Sequence, residues 1–277
     1  MFDPDPPVNL PNGEFVEIFN RSNKTFDLSG WTFNGVNSSA SCGSDLLAPG
    51  AYLILCDNSF HSSFSVYGAR DYDEVKNTGA RHSSTRSADQ TAAAVFWIVQ
   101  TAVPWHAAAR AVSAAKGLSV ADNAKMFAML ALATADSQIV AFAEKYKRPH
   151  WRPITAIRSG VGADAGATPL ERDAKWEPLL GTPPHPEYPS AHAIFSGAAE
   201  VVLRAWLGGD DLELSVTSPP VFGITRSYRM LSQITEEVEN ARVWGGIHFR
   251  SADRDGIEVG RKIGTLVVRE FPTRGSL

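Results

Sequence analysis

The pattern of apolar residues along the chain changes between residues 66 and 86, and this change constrains the fold more than any other feature of the sequence. Before it, short apolar runs are separated by Asn, Ser, Asp, Gly and Pro, a pattern typical of short strands joined by turns. After it, apolar residues recur at the spacing of amphipathic helices. We therefore expect two unlike units, a β segment over residues 1–68 and a helical domain over residues 69–277.

The first unit contains three strand-like runs, at residues 15–19, 30–33 and 51–56. Turn-forming residues bound each run, which predicts a small, partial β-sandwich. A partial sandwich leaves open sheet edges that invite mispairing, so we do not expect this segment to be stable alone.

The second unit predicts a mainly α fold, a bundle of about six helices. Ser87 can cap the first helix, and Pro104 suits the first turn of the second. Ser119 can cap a long third helix that runs to about Lys147. Further helices are expected at Ser190–Trp206, Ser227–Trp244 and Ser251–Phe271, with a long loop over residues 159–189.

Composition excludes several classes of protein. The formal net charge is -4, so the chain lacks the basic surplus that a general nucleic-acid binder needs. No uninterrupted apolar run reaches the roughly 18 residues of a membrane span, so we expect none. The two cysteines, Cys42 and Cys56, cannot form a disulfide scaffold and show no zinc spacing.

Three short segments carry the residues suited to chemistry: KYKRPHWRP at 145–153, PSAH at 189–192 and RVWGGIH at 242–248. Together they offer cationic side chains, a hydroxyl and two imidazoles, which suits a compact, highly charged oxyanion. The PSAH segment begins a helix, where backbone amides bind anions. Two glycines in the third segment let the chain turn back on itself.

Each segment has an ordinary reading when it is taken alone. The first is a basic helix end that complements the helix dipole. The second is an N-cap, and the third is a helix–turn–helix. Only their combination indicates a common site.

Their order, K-x6-RP, then PSxH, then R-x5-H, resembles the type 2 phosphatidic acid phosphatase and vanadium haloperoxidase superfamily. The resemblance runs from about residue 69 to the C-terminus and is to the soluble, haloperoxidase-related bacterial branch. The N-terminal segment resembles the lamin-tail domain, on GEFVEIFNRS, FDLSGWTF and LAPGAYLILC. The resemblance implies a helical bundle of the acid phosphatase and vanadium haloperoxidase type, after a lamin-tail-like β segment.

The resemblance also implies a role for each residue of the site. His248 would bond the central atom of the oxyanion, as the vanadium ligand or as a nucleophile toward phosphate, and His192 would be the acid–base residue. His185 would line the halide side of the pocket, where histidine accompanies bromide oxidation. The groups that would bind the oxyanion oxygens are Lys145, Arg152, Ser190, the Ala191 amide and Arg242.

The implied activity is a vanadate-dependent oxidation of halide, bromide favoured, by hydrogen peroxide. An acid phosphatase with a phosphohistidine and no cofactor is the first alternative. A surface binding or adhesion protein with an inactive helical domain is the second. Partners would be small molecules, peroxide and halide or a phosphomonoester, with a homo-oligomer left open.

Two positions depart from the superfamily pattern. Ala191 replaces a glycine beside the anion, and Ala252 replaces the acid that would orient His248, with Asp253 next to it. The N-terminus shows no signal peptide, yet the lamin-tail resemblance and the peroxide chemistry favour an exported protein, periplasmic or on the cell surface.

Overall fold

The structure is a computed structural model. It describes residues 15–20, 22, 24–29, 31–34, 39–41, 46–47, 52–56, 71–98, 101–147, 150–159, 171–217 and 223–271. Cys42 and part of the predicted long loop, residues 160–170, lie outside these ranges.

The N-terminal segment is built from short antiparallel strands, as the sequence predicts. They are β1 (Phe15–Phe19), β2 (Phe26–Asp27), β3 (Thr32–Asn34), β4 (Ser39–Ser41), β5 (Leu46–Leu47) and β6 (Tyr52–Cys56). The pairing is nested, with β1 on β6, β2 on β5 and β3 on β4. Near the end of β1, the buried Asn20 amide donates to the Lys24 carbonyl at 2.7 Å.

The rest of the described chain is mostly helical, which confirms the predicted bundle. The helices are α1 (residues 71–78), α2 (Ala88–Phe96), α3 (Ala102–Lys116), α4 (Val120–Lys147), α5 (Pro153–Ser159), α6 (Ala191–Leu207), α7 (Leu231–Trp244) and α8 (Arg250–Glu270). A hairpin of β7 (Asp211–Thr217) and β8 (Thr225–Met230) separates α6 from α7.

Local capping explains why several helices begin and end where the sequence predicts. The Ser87 hydroxyl accepts from the Gln90 amide at 3.1 Å, and the Gln90 side chain accepts from the Ser87 amide at 2.8 Å. This reciprocal capping box starts α2. Gly117 ends α3 in the left-handed conformation, with φ of 58°.

The predicted helix from Ser227 to Trp244 is correct at its end, but its predicted start lies four residues before the observed one. Residues Thr225–Met230 form β8, and α7 starts at Leu231. Hydroxyl pairs hold the hairpin across its exposed face, with Ser215 to Ser227 and Thr217 to Thr225 both at 2.8 Å. Thr and Ser side chains favour this cross-strand pairing over a helix interior.

Helix α6 is the centre of the bundle, and it packs most closely on α8. Four glycines, Gly197 on α6 and Gly256, Gly260 and Gly264 on α8, bring the two backbones together. A Cβ atom added at Gly260 would lie 2.0 Å from the carbonyl oxygen of Ile194, and one at Gly197 would lie 2.4 Å from that of Ile257. The obstacle is backbone in each case, so it cannot move aside as a side chain would.

We expect Gly260→Ala to lower the free energy of unfolding by about 1–3 kcal/mol, because the added methyl forces the two helices apart. Gly209→Ala is the matched control, since a Cβ at Gly209 meets no atom within 4 Å. Urea denaturation of both variants measures the difference. Equal stability of the two variants would contradict the close α6–α8 packing.

Helix α4 is long and apolar enough to cross a membrane by length and composition, and 39% of its most apolar window is buried. A core helix passes the same test. Met126 and Leu130 of α4 are fully buried in the main apolar core, and Lys145 near its end is fully buried as well. The absence of a membrane span stays a prediction.

Candidate functional site

The three segments singled out in the sequence supply one buried group of polar residues. Lys145 lies in the last turn of α4, Arg152 just before α5, and Ser190 at the N-cap position of α6, without a capping hydrogen bond from its side chain. Arg242 lies in the last turn of α7, and His248 follows in the turn before α8. All five residues are at most 6% exposed. Burial of three cations and an imidazole in one place requires compensating partners.

His248 is held in one tautomer by its two neighbours. Its Nδ1 lies 2.9 Å from Glu187 Oε1, and its Nε2 lies 3.0 Å from Arg152 Nη1. Arginine can only donate, so Nε2 accepts and Nδ1–H donates to the carboxylate. Burial, and then the charges of Arg152 and Lys145, keep the pKa of His248 well below its usual value. The imidazole is therefore neutral at neutral pH, with its lone pair directed at Arg152.

Glu187 is the residue of the site that sequence reasoning missed. One of its oxygens accepts from both His248 Nδ1 and the Phe249 amide, each at 2.9 Å. Burial raises the pKa of Glu187, while the Phe249 amide and the nearby Arg152 lower it. The sequence left open which acid orients His248 once Ala252 stands at the usual position, and in the structure Glu187 contacts it from the preceding loop. The available signal was an acid two residues before Pro189 of the second segment.

We expect Glu187→Gln to weaken vanadate binding by about 10- to 100-fold, the usual cost of losing a partner that orients a ligand histidine. Glutamine keeps the size of the side chain but removes the charge that favours the Nδ1–H tautomer. Equilibrium dialysis with vanadate measures the effect. Glu177→Gln is the control, because Glu177 is half-exposed and pairs with Arg81 on the surface. Affinities that match in the two variants would remove Glu187 from this role.

Lys145 and Arg152 hold the loop that carries His185 in place. Lys145 Nζ donates to the carbonyls of Pro186 and Glu187, both at 2.9 Å. Arg152 Nε donates to the His185 carbonyl at 3.0 Å, and its Nη1 donates to the Ile247 carbonyl at 2.6 Å. The two cations therefore shape the site as well as charging it.

Burial, and then the adjacent Arg152 charge, lower the pKa of Lys145 to about 7. A lysine with a lowered pKa loses its charge as the pH rises through that value, so anion binding should weaken there. We expect phosphate affinity to fall more steeply between about pH 6 and 8 in the wild type than in Lys145→Arg, whose guanidinium stays charged. Calorimetric titration at several pH values measures this, and the protonation of phosphate is common to both proteins. Parallel profiles would contradict a titrating Lys145.

Two donors in the site lack a hydrogen-bond partner among the residues that the structure describes. They are Ser190 Oγ and Arg242 Nε. Arg242 Nη1 donates to the Trp97 carbonyl at 2.8 Å, and burial lowers the pKa of Arg242 to about 10, still charged at neutral pH. Buried donors without partners are costly, and two kinds of acceptor could satisfy these: the nearby Asp253 carboxyl or the oxygens of a bound anion.

Asp253 is a second buried acid beside this group. It is fully buried, and neither carboxyl oxygen makes a hydrogen bond of normal geometry with a described residue. Burial raises its pKa well above the usual value, and the nearby Ser190 hydroxyl and Arg242 charge oppose that rise. The sequence marked Asp253 only as the neighbour of Ala252, whose carbonyl instead accepts from the Ser190 amide at 3.1 Å.

The remaining predicted residues lie at the edge of the buried group. Ala191 and His192 are the first two residues of α6 and are half-buried. His192 is close enough for its charge to lower the pKa of His248. Ala191 has helical conformation, so its methyl group does not require the backbone to reorient. The half-buried His185 ring lies with Nδ1 3.1 Å from Arg152 Nη2. The catalytic roles of these residues stay predictions.

Comparison with known families assigns both parts of the chain. The chain matches the family described as the VCPO second helical-bundle domain over residues 125–273, more than half of its length. It matches the lamin tail domain family over residues 1–130, which confirms the N-terminal resemblance. The boundary at residue 68 stays a prediction.

Individual relatives match over part of their length. The vanadium chloroperoxidase of Curvularia inaequalis is 33% identical over 99 residues, which cover 32% of this chain and 15% of that protein. A structure described as the first bacterial vanadium-dependent iodoperoxidase is 29% identical with a TM-score of 0.62. That match covers 73% of this chain and 48% of the iodoperoxidase.

An apo-type bacterial vanadium-dependent chloroperoxidase shares the fold, with a TM-score of 0.59 at 22% identity. The match covers 76% of this chain and 50% of the other. The chain therefore spans about half the length of these solved structures and a smaller part of the curated relative.

Proposed function

Because the chain belongs to the family of the VCPO second helical-bundle domain, we propose that it acts as a vanadate-dependent haloperoxidase-like enzyme. It would oxidise halide, with bromide favoured, to hypohalous acid at the expense of hydrogen peroxide. One observation carries the proposal. A neutral imidazole, His248, directs its lone pair at the buried Arg152, and Lys145 and Arg242 lie close enough for their charges to lower its pKa.

The residues present fit a tetrahedral oxyanion. Ser190 Oγ and Arg242 Nε are donors without a partner of normal geometry, and oxyanion oxygens would satisfy them in competition with the nearby Asp253 carboxyl. Lys145 and Arg152 add charge, and a guanidinium matches the oxygens of such an anion in a paired geometry. His248 Nε2 would bond the central atom. When bound, vanadate would supply the Lewis acidity that activates peroxide toward halide.

The chain's own residues would support that chemistry by fixing which atoms carry protons. Glu187 accepts the Nδ1 proton of His248, which leaves Nε2 as the only lone pair of the ring. In the structure an Arg152 N–H donates to that lone pair. When an oxyanion binds to Nε2, the same N–H would donate to an oxyanion oxygen instead. His192, at the start of α6, would give and take protons on the peroxide side.

The position of His185 supports bromide as the favoured halide. Arg152 can only donate, so His185 Nδ1 accepts from it and the ring proton lies on Nε2. Burial, and then the Arg152 charge, lower the pKa of His185, so the ring is neutral. A neutral ring with an available N–H can donate to a halide without fixing it too tightly.

A phosphatase is the second candidate, because the same neutral His248 would also serve as a nucleophile toward a phosphomonoester. Phosphate and vanadate share shape and charge, and Lys145, Arg152 and Arg242 suit both. No cofactor is needed for that reaction. An inactive helical domain attached to a lamin-tail-like binding segment is the remaining reading.

One experiment separates the three readings. The purified protein would receive orthovanadate, hydrogen peroxide and bromide with a brominatable dye, and separately a phosphomonoester without vanadate. Vanadate-dependent bromination supports the haloperoxidase, and phosphate release alone supports the phosphatase. No reaction in either assay by the folded protein would remove both enzymes and leave the binding protein.

A further inference from the structure

Exposed aromatic side chains gather at the rim of the oxyanion site. Within described residues 71–271, the exposed Phe, Tyr and Trp side chains are Phe142, Tyr146, Trp151 and Phe271. The first three flank Lys145 and Arg152 along the chain. Phe142 is 38% exposed, Tyr146 is 67% exposed and Trp151 is 43% exposed. Water-exposed rings are costly, so their concentration beside a charged site needs a reason.

Two of these rings form an ordered surface with His185. The Phe142 and Tyr146 rings are stacked, with centroids 6.5 Å apart and planes inclined by 26°. Phe142 also meets the His185 ring edge-on, at 5.3 Å and 67°. We call Phe142, Tyr146 and His185 the aromatic shelf. Phe142 and Tyr146 are one helical turn apart on α4, so the helix fixes their spacing.

The shelf is continuous with the proposed reaction centre. The His185 ring contacts Arg152 Nη2 at 3.1 Å, and Arg152 Nη1 contacts His248 Nε2 at 3.0 Å. A flat molecule on the shelf would therefore lie one residue away from the site where hypohalous acid forms. Ring packing on Phe142 and Tyr146 favours an aromatic molecule over an aliphatic one. An electrophilic halogen reacts most readily with an electron-rich ring.

We propose that the aromatic shelf binds the organic acceptor of the reaction, and that this acceptor is an electron-rich aromatic ring such as a phenol. The inference rests on the proposed function for the halogenating agent. Hydrogen peroxide oxidises the halide by two electrons and is itself reduced. The resulting hypohalous acid delivers its halogen to a ring carbon, where a carbon–halogen bond forms and a carbon–hydrogen bond breaks. The ring proton leaves with the hydroxide of the hypohalous acid as water.

The test measures the binding of 2-naphthol to the vanadate-loaded full chain by saturation-transfer NMR. We expect Tyr146→Ala to weaken binding by about three- to tenfold, the scale of an aromatic pair contact. Leu132→Ala is the matched control, since Leu132 is an exposed apolar residue of the same helix that lies nearly three turns before Phe142. The saturated analogue decahydro-2-naphthol should bind more weakly than 2-naphthol.

Three results would contradict binding at the shelf: no naphthol binding, equal weakening by Leu132→Ala, or equal binding of the saturated analogue. Turnover separates this failure from failure of the proposed function. Tribromide formation without an organic acceptor should be unchanged in Tyr146→Ala. If the protein oxidises bromide but Tyr146→Ala leaves the naphthol affinity unchanged, the proposal of acceptor binding at the shelf is wrong and the proposed function stands. If the protein binds naphthol but does not oxidise bromide, the haloperoxidase hypothesis is wrong and the shelf remains a binding site for aromatic molecules.

Discussion

Replacing His248 with alanine is expected to reduce vanadate-dependent bromination by at least about a hundredfold, the lower range for loss of a central catalytic group. The substitution removes the fully buried ring lone pair that accepts from Arg152 at 3.0 Å, in a place where the charges of Lys145 and Arg242 also act. It also removes the donor that Glu187 Oε1 accepts at 2.9 Å. Initial rates with a brominatable dye, at saturating vanadate, measure the loss.

His82→Ala provides the matched control, because His82 is exposed and lies outside the three segments. The melting temperature of both variants shows whether His248→Ala remains folded with Glu187 left without its partner. Bromination by a folded His248→Ala at the rate of the His82 variant would exclude His248 as the residue that holds the cofactor.

Loss of Lys145 should have the second-largest effect. We expect Lys145→Ala to reduce oxyanion affinity by about 1.5–3 kcal/mol, the scale of a charged hydrogen bond. The side chain is fully buried and also holds two loop carbonyls at 2.9 Å. Calorimetric titration with vanadate and with phosphate measures the change, and both anions should be affected.

Two further variants identify the cause. Lys147→Ala removes an exposed lysine of the same helix and should leave the affinity unchanged. Lys145→Met keeps most of the volume and should lose affinity much as alanine does, because the charge is what binds. An unchanged affinity in Lys145→Ala would remove this lysine from the site.

Much of the helical domain was predictable because its signals are local. Ser87, Pro104, Ser119 and Gly117 mark helix ends by chemistry that acts within a few residues. The β7–β8 hairpin was missed for the opposite reason. Its exposed face is built from Ser and Thr, whose preference for a strand depends on a partner strand that the local sequence does not reveal.

The site divides in the same way. The order and spacing of three segments indicated Lys145, Arg152, Ser190, Arg242 and His248, and the structure brings them together. The role of Glu187 could not be predicted, because its partner His248 is 61 residues away along the chain. The contact of Arg242 with the Trp97 carbonyl spans 145 residues. Such contacts are set by how helices pack, which no local pattern encodes.

The glycine contacts between α6 and α8 determine how the site can adapt. Ser190 precedes α6 and Asp253 lies in the first turn of α8, so both are attached to helices whose backbones touch. Backbone contacts leave no side chain that could rearrange to let one helix slide along the other. Accommodation of anions of different size must therefore fall on the 182–189 loop and on the side chain of Arg152. Substitutions in that loop can therefore alter which anion is preferred, while the side of the site formed by α6 and α8 keeps its dimensions.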